Sequence, residues 1–446
     1  MNRLTRRQFL AGSAASLTTL AGCSSLPIVG ERDPELGFDP ATLSRSVVQD
    51  MPDPPETYSA PVPETLATRH RRRARELLNG VPREPGFANE GLSTELGEMR
   101  TDTLSEIENG PDEPGSLQRL DEWRSIRSDA AEVRAAYDAA TGTLDTATLT
   151  RRHDRLRQDL RAFESAWQSP GRNTLDALAT AYHLEDMRTD CWHSVDLGEP
   201  VPSNARMNPL DTGRLAGGLE EGRALLDDLT GLREAHREAA STLTSYQDTL
   251  SVMADQFRYL IPVTRRQVEL YLGDDAGADD FERKIDGLPA EQVFYDVQAW
   301  TERRIREARE ARIRRNYARA TVRGGHALVM ILALSQVVDA IQSGKYGMPE
   351  TIEEVREYRD QAIAAVEEAQ SVEPTRLAAL LSLPAWNRLQ WEVRDFQAPK
   401  RRDPPNEREV VRLVAAFVGA YHFANAVKPV VDRLREDLLD GTSVME

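Results

Sequence analysis

Leu225, Leu229, Leu232, His236, Ala239, Leu243, Tyr246, Leu250, Met253, Phe257 and Leu260 step through the middle of the chain by alternating fours and threes. A 3.5-residue period held this long predicts helix with one narrow apolar stripe, the pattern of a coiled-coil seam. Such a stripe has to be covered by a helix with its own apolar face or by a second subunit. The nearest cover within the chain is the helix expected between Pro289 and Arg323. It would lie antiparallel to the seam once segment 273–288 turns the chain, and it offers Val293, Val297, Trp300, Ile305, Ile313 and Tyr317. His236 falls on the stripe, where a packed, hydrogen-bonded core histidine or register device is the expected role rather than a ligand.

Outward from the seam the signals stay helical. Glu64–Leu78 ends at Asn79-Gly80, a helix stop, and further patterns run through 116–140, 146–168 and 173–188, the last capped by Asn173. Pro262 is expected to stop or kink the seam helix, and Gly324-Gly325 to break the one that starts at Pro289. The apolar run Ala327–Leu334 is too short for a membrane span and reads as a buried core helix. Helices also fit 350–370, 375–395 and 406–440, and no alternating strand run occurs. The expectation is an all-α fold, an elongated helical bundle with long coiled-coil-like antiparallel helices. Its parts would be a signal peptide at 1–22, a Pro-rich tether at 23–60, an N-terminal helical region at 61–200 and a C-terminal long-helix bundle at 208–446.

Composition sets the outer bounds. The 446 residues carry 73 Asp and Glu against 56 Lys and Arg, for a formal net charge of −17, and only two cysteines. Two cysteines cannot staple a chain of this size, so a disulfide scaffold is excluded. The negative field disfavours nucleic acid as a partner. Lysine stands only at 284, 345, 400 and 428, so 52 of the 56 basic residues are arginine. This Lys-poor, carboxylate-rich balance resembles that of haloarchaeal proteins. A dense carboxylate surface keeps a protein hydrated in molar salt, where self-repulsion is screened within ~3 Å.

The first 23 residues carry an address. Thr5-Arg6-Arg7-Gln8-Phe9-Leu10 precedes a mildly apolar stretch, and Leu20-Ala21-Gly22-Cys23 follows it. The order resembles the leader of twin-arginine-exported lipoproteins, with Arg6 and Arg7 as the export signal and Cys23 ending a lipobox. The resemblance covers the leader only. It implies lipidation of Cys23, folding before export, and a lipid anchor on the outer face of the cytoplasmic membrane. Eight of the 25 prolines fall between Pro27 and Pro63, which suits an extended tether behind that anchor.

No His-Glu-x-x-His, Gly-x-Ser-x-Gly, Walker or dinucleotide motif occurs, so no common enzyme class is indicated. The densest polar group is His183, Glu185, Asp186, Asp190, Cys191 and His193, of which all but Glu185 are the candidate metal ligands. Imidazole, carboxylate and thiolate at that spacing suit zinc or copper, against the plainer reading of a helix end with solvated carboxylates and an inert thiol. No cofactor is otherwise expected. The Arg-rich stretch 303–323 offers Arg304, Arg312, Arg315 and Arg319 as contacts for anions, with pairing to interleaved Glu302, Glu307 and Glu310 as the alternative. Trp386 and Trp391 flank Arg388 and fit either a ligand wall or core filling. The role that follows is a non-enzymatic, surface-anchored protein that binds or scaffolds an envelope protein or polymer, with a metal-binding protein or metalloenzyme using His183, Cys191 and His193 as the alternative.

Overall fold

The computed structural model describes residues 36–43, 51–111, 116–144, 146–197, 208–240, 242–273, 276–397 and 405–435. Arg6, Arg7 and Cys23 lie outside them. The described chain is an all-α helical bundle. Its helices are α1 (Glu64–Leu78), α2 (Glu90–Glu108), α3 (Leu117–Ala140), α4 (Thr146–Ser165), α5 (Thr174–Leu197) and α6 (Pro209–Glu238) in the N-terminal half. The C-terminal half holds α7 (Gln247–Arg265), α8 (Pro289–Ile313), α9 (Tyr317–Gln342), α10 (Ile352–Ser371), α11 (Thr375–Gln397), α12 (Glu407–Asn425) and α13 (Val427–Leu434). Asparagine and hydroxyl caps start many of them, as at Asn89, Ser116, Asn208 and Thr351, and Asn406 with Glu409 forms a full capping box. Asn173 accepts the Asp176 amide as its sequence position predicts.

The seam is not one helix. It divides at 239–246, where Ala239 is exposed and Leu243 only half buried. Here Thr244–Ser245 (β2) pairs antiparallel with Pro170–Gly171 (β1), and the Tyr246 amide donates to the Ser169 carbonyl at 2.9 Å. The two ends of the stripe therefore enter different cores. Leu225, Leu229 and Leu232 on α6 pack with α1 and α3, whereas Leu250, Met253 and Phe257 on α7 pack chiefly on α9. The expected partner, α8, instead covers α9 and α12: Val293 and Val297 are buried there, Trp300 stacks on Phe423, and Ile313 is exposed. The alternation of fours and threes continues across the break because α6 and α7 keep phase, and periodicity does not register a two-residue strand.

The N-terminal core encloses a buried ionic group. Asp228 on α6 and His70 on α1 have no exposed side-chain surface; His70 Nε2 donates to Asp228 Oδ1 at 2.8 Å, and Arg124 on α3 donates to Oδ2 at 2.9 Å. His236 lies in the same half, 3.4 Å from Asp176 and buried, the structural role expected of it.

In the C-terminal core α9 is buried along nearly its whole length, so the apolar run is a core helix. Both Tyr317–Gln342 and Glu407–Leu434 are long and apolar enough to cross a membrane by length and composition, and both are mostly buried by the protein itself. Gly324 and Gly325 do not break α9. A Cβ at 324 would stand 2.4 Å from the Phe257 ring and one at 325 would stand 2.5 Å from Leu381, so these glycines admit α7 and α11 against α9. The break comes earlier, at Arg314–Asn316, where Arg315 adopts φ 59°. Pro262 likewise sits inside the last turn of α7 rather than ending it.

Helix α5 belongs to both cores. Leu178 and Tyr182 face the C-terminal one, Leu184, Met187, Cys191 and Val195 the N-terminal one. Residues 51–60, expected to be part of a tether, dock on α5 and α11. Ser59 Oγ lies 2.6 Å from Thr180 Oγ1, Trp386 Nε1 donates to the Pro52 carbonyl, and Tyr58 is buried. Proline keeps this stretch extended, but an extended segment can still bury the apolar residues it carries.

Candidate functional site

The α8–α9 corner is fastened to α5. Arg188 donates to Asn316 Oδ1, Asn316 Nδ2 donates to Thr189 Oγ1 at 3.1 Å, and the Arg319 amide donates to Glu185 Oε2 at 2.8 Å. Glu185 is fully buried, and desolvation outweighs the nearby Arg188 and Arg319 to push its carboxyl up to about 7.

Beside this corner a cavity of about 530 Å³ opens between α5, α8, α9 and α11. Tyr182, Asp186, Thr189, Asp190 and His193 line it from α5, and Leu383, Pro384 and Asn387 from α11. Arg303, Arg304, Glu307 and Glu310 come from α8, Arg319, Arg323 and His326 from α9, and Arg314 from between them. The guanidinium groups are anchored by two carboxylates. Asp186 takes Arg319 Nε at 2.8 Å and Arg323 Nη2 at 3.2 Å, and Glu307 takes Arg303, Arg304 and Arg323. Burial opposes ionisation of Asp186, but Arg323 and Arg319 outweigh it and hold the carboxyl below its usual range. Asp190 stands at the mouth, where desolvation first and the Asp186 carboxylate second push it up to about 6. The positive charge of the wall is thus only partly cancelled.

Three buried nitrogens in this lining make no hydrogen bond among the described residues: Arg319 Nε, which meets Asp186 only as an ion pair, Arg323 Nε and His326 Nδ1. His326 is fully buried, and its Nε2 donates to the Leu380 carbonyl at 2.8 Å. Because a carbonyl can only accept, the ring proton sits on Nε2 and Nδ1 is a free lone pair. Burial, then the charges of Arg323 and Arg304, push this imidazole well below its ordinary range, so it stays neutral.

The residues expected to bind metal do not converge. His183 turns to the docked segment, its Nε2 2.8 Å from Thr57 Oγ1, and burial lowers it to about 4. Cys191 points the other way, into the N-terminal core, where its thiol donates to the Gly222 carbonyl at 3.2 Å and burial raises it to about 12. Only Asp186, Asp190 and His193 meet, at the cavity, and Asp186 is engaged by two arginines. Among the described residues no group of three or more His, Cys, Asp or Glu side chains is placed to hold a metal ion. Eleven residues of helix carry side chains to every side, which residue spacing along the sequence alone does not separate.

The expected anion contacts divide as well. Arg304 and Arg319 line the cavity, Arg312 pairs outward with Asp255 at 2.9 Å, and Arg315 is exposed at the corner. Arg303, Arg314 and Arg323 complete the wall. His326 was not expected there; its one sequence signal is a histidine directly before the fully apolar run. Trp386 is held by Pro52 while Trp391 is 75% exposed, so the two tryptophans form no common wall. Of the Arg69–Arg73 cluster, Arg73 borders a second cavity of about 500 Å³ with Arg151, Arg152, Arg155 and Arg223, whose described lining includes no buried unpartnered polar atom.

Fold and site together define an all-α protein with an arginine-walled cavity at the junction of its two cores. Residues 65–242 match a domain of unknown function, DUF8262, and residues 239–436 match a second, DUF8264. The two matches meet at 239–242, where the seam divides; the boundary expected from sequence, 200–208, falls mostly outside the described residues, and α6 beyond it packs with the N-terminal core. No curated protein and no solved structure matches the chain.

Proposed function

We propose that this is a lipid-anchored protein of the outer face of the cytoplasmic membrane that works by binding, and that its ligand is a small anion. The observation that carries the reading is the cavity wall: five guanidinium groups, with Arg323 Nε buried and unpartnered. A buried donor without a partner costs about 1–3 kcal/mol, and an anion that accepts from it recovers that cost. A recess of about 530 Å³ has room for a small molecule. The anchor rests on Arg6, Arg7 and Cys23 of the leader.

Calorimetric titration of the purified full chain with phosphate, sulfate and a dicarboxylate, in molar potassium chloride, tests the binding reading. At least one anion is expected to bind with a stoichiometry of about one, and Arg314→Gln with Arg319→Gln should weaken it on the order of tenfold or more. Absence of binding by all three would remove the reading. The anchor is tested separately by fractionation: Cys23→Ser should release the protein from membranes, and a variant that stays bound through salt washes defeats the lipidation.

A further inference from the structure

The cavity has one feature that a generic anion site does not need. Its donors are guanidinium N–H groups, which any oxyanion satisfies, but His326 Nδ1 is a fully buried acceptor that an unprotonated oxygen would only repel. The tautomer is fixed by the Leu380 carbonyl, so the neutral ring cannot donate from Nδ1 without losing that bond. Protonation at Nδ1 would place a third cation beside Arg304 and Arg323. The group that completes such a lining must accept several hydrogen bonds and donate one.

We infer that the cavity takes a phosphate group in a protonated form, free or as a monoester, with its unprotonated oxygens on Arg304, Arg319 and Arg323 and its hydroxyl donating to His326 Nδ1. Sulfate and carboxylate carry no proton near neutrality and leave the lone pair facing an oxygen. Hydrogen phosphate carries one, and so does the monoanion of a phosphate monoester. The remaining acceptors do not replace His326 in this role: Asp186 and Glu307 are engaged by arginines, and Asp190 and Glu310 stand exposed at the mouth. A volume of about 530 Å³ also exceeds the needs of a bare tetrahedral ion. The apolar edge formed by Leu383 and Pro384 leaves room for the organic part of a monoester.

This inference rests on the anion-binding reading, and one experiment separates the two. Full-length protein in molar potassium chloride is titrated with inorganic phosphate, glycerol 3-phosphate and sulfate at the same pH. Phosphate or glycerol 3-phosphate is expected to bind at least ~10-fold tighter than sulfate, since a site built to pair a hydroxyl rejects the isostere lacking it. The tighter of the two phosphates identifies the natural form. Sulfate binding as tightly as phosphate would overturn the inference and leave the anion site standing; no binding by any of the three would overturn the inference, and the anion reading falls with it if a dicarboxylate fails to bind as well. His326→Phe should bring phosphate and sulfate to within about threefold of each other by weakening phosphate. If that variant does not fold, the selectivity of the unmodified protein decides alone.

Discussion

Removing Asp228 should cost more stability than any exposed ion pair in this protein. Its carboxylate is fully buried between α1, α3 and α6, with His70 on one oxygen at 2.8 Å and Arg124 on the other at 2.9 Å. Arg127 donates to His70 Nδ1 at 3.2 Å, and a guanidinium has no acceptor, so it is the Nε2–H of the ring that is aimed at Asp228. Asp228 is therefore the buried anion that answers Arg124. Asp228→Ala strands the His70 Nε2–H in the core, about 1–3 kcal/mol, and removes a charge-assisted bond to Arg124, about 1.5–3 kcal/mol. Arg124 retains only Asp121, which is 76% exposed. The sum, about 2.5–6 kcal/mol, brackets the usual penalty of about 3–5 kcal/mol for breaking a buried pair from one side. Asp228→Asn keeps one acceptor and should cost less, about 1–3 kcal/mol. Urea unfolding at submolar and molar potassium chloride measures both, and the penalty should change little with salt because a buried pair is poorly screened. An Asp228→Ala penalty below ~1 kcal/mol would refute the assignment of this group as a closed, desolvated network.

Two further outcomes follow from burial. Leu229→Asp, at a position with no exposure, should cost about 3 kcal/mol or more, whereas Leu243→Asp, half buried in the break between α6 and α7, should cost less than half as much; equal penalties in thermal or urea melts would mean the seam is continuous after all. His422 is buried against Tyr346 Oη at 2.7 Å and Gln336 Oε1 at 3.2 Å, and desolvation lowers it to about 3. Its unfolded form takes up a proton below about pH 6.5 while the folded form does not, so its contribution is whole above that pH and is lost as pH falls toward 3. His422→Gln should lower the slope of stability with pH between about 6 and 4 by roughly 1.4 kcal/mol per unit, with His183 and His326 keeping part of the slope and Glu185, raised to about 7, opposing it. An unchanged slope would show His422 to be accessible.

The helical class, most helix positions and the burial of Ala327–Leu334 are legible in the sequence because each is set by local periodicity and capping. The division of the seam is not, since β1 and β2 meet across more than seventy residues and leave no periodic trace. Gly324-Gly325 misleads for a related reason: the same residue that breaks a solvated helix permits close approach in a packed one, and only the presence of Phe257 and Leu381 distinguishes the cases. The cavity was half legible. Arginine density marks α8 and α9, but which guanidiniums face inward depends on where α5 crosses them, and the candidate metal ligands divide for the same reason, since α5 sends His183, Cys191 and His193 in three directions.

The position of the cavity follows from α5 serving two cores. A helix that buries Tyr182 on one side and Cys191 on another has little surface left for solvent, and Asp186 lies on the remaining strip, opposite the Arg-rich turn of α9. Arginine matters to the outcome. A lysine at 319 or 323 would spend its single nitrogen on Asp186, whereas a guanidinium can bond that carboxylate with one N–H and keep others for a ligand. Asp186 and Glu307 between them hold four guanidiniums, those of Arg303, Arg304, Arg319 and Arg323, and so leave positive charge fixed in place. In molar salt, where attraction over distance is screened within ~3 Å, such contact-held cations still present charge and direction to an anion that enters the cavity.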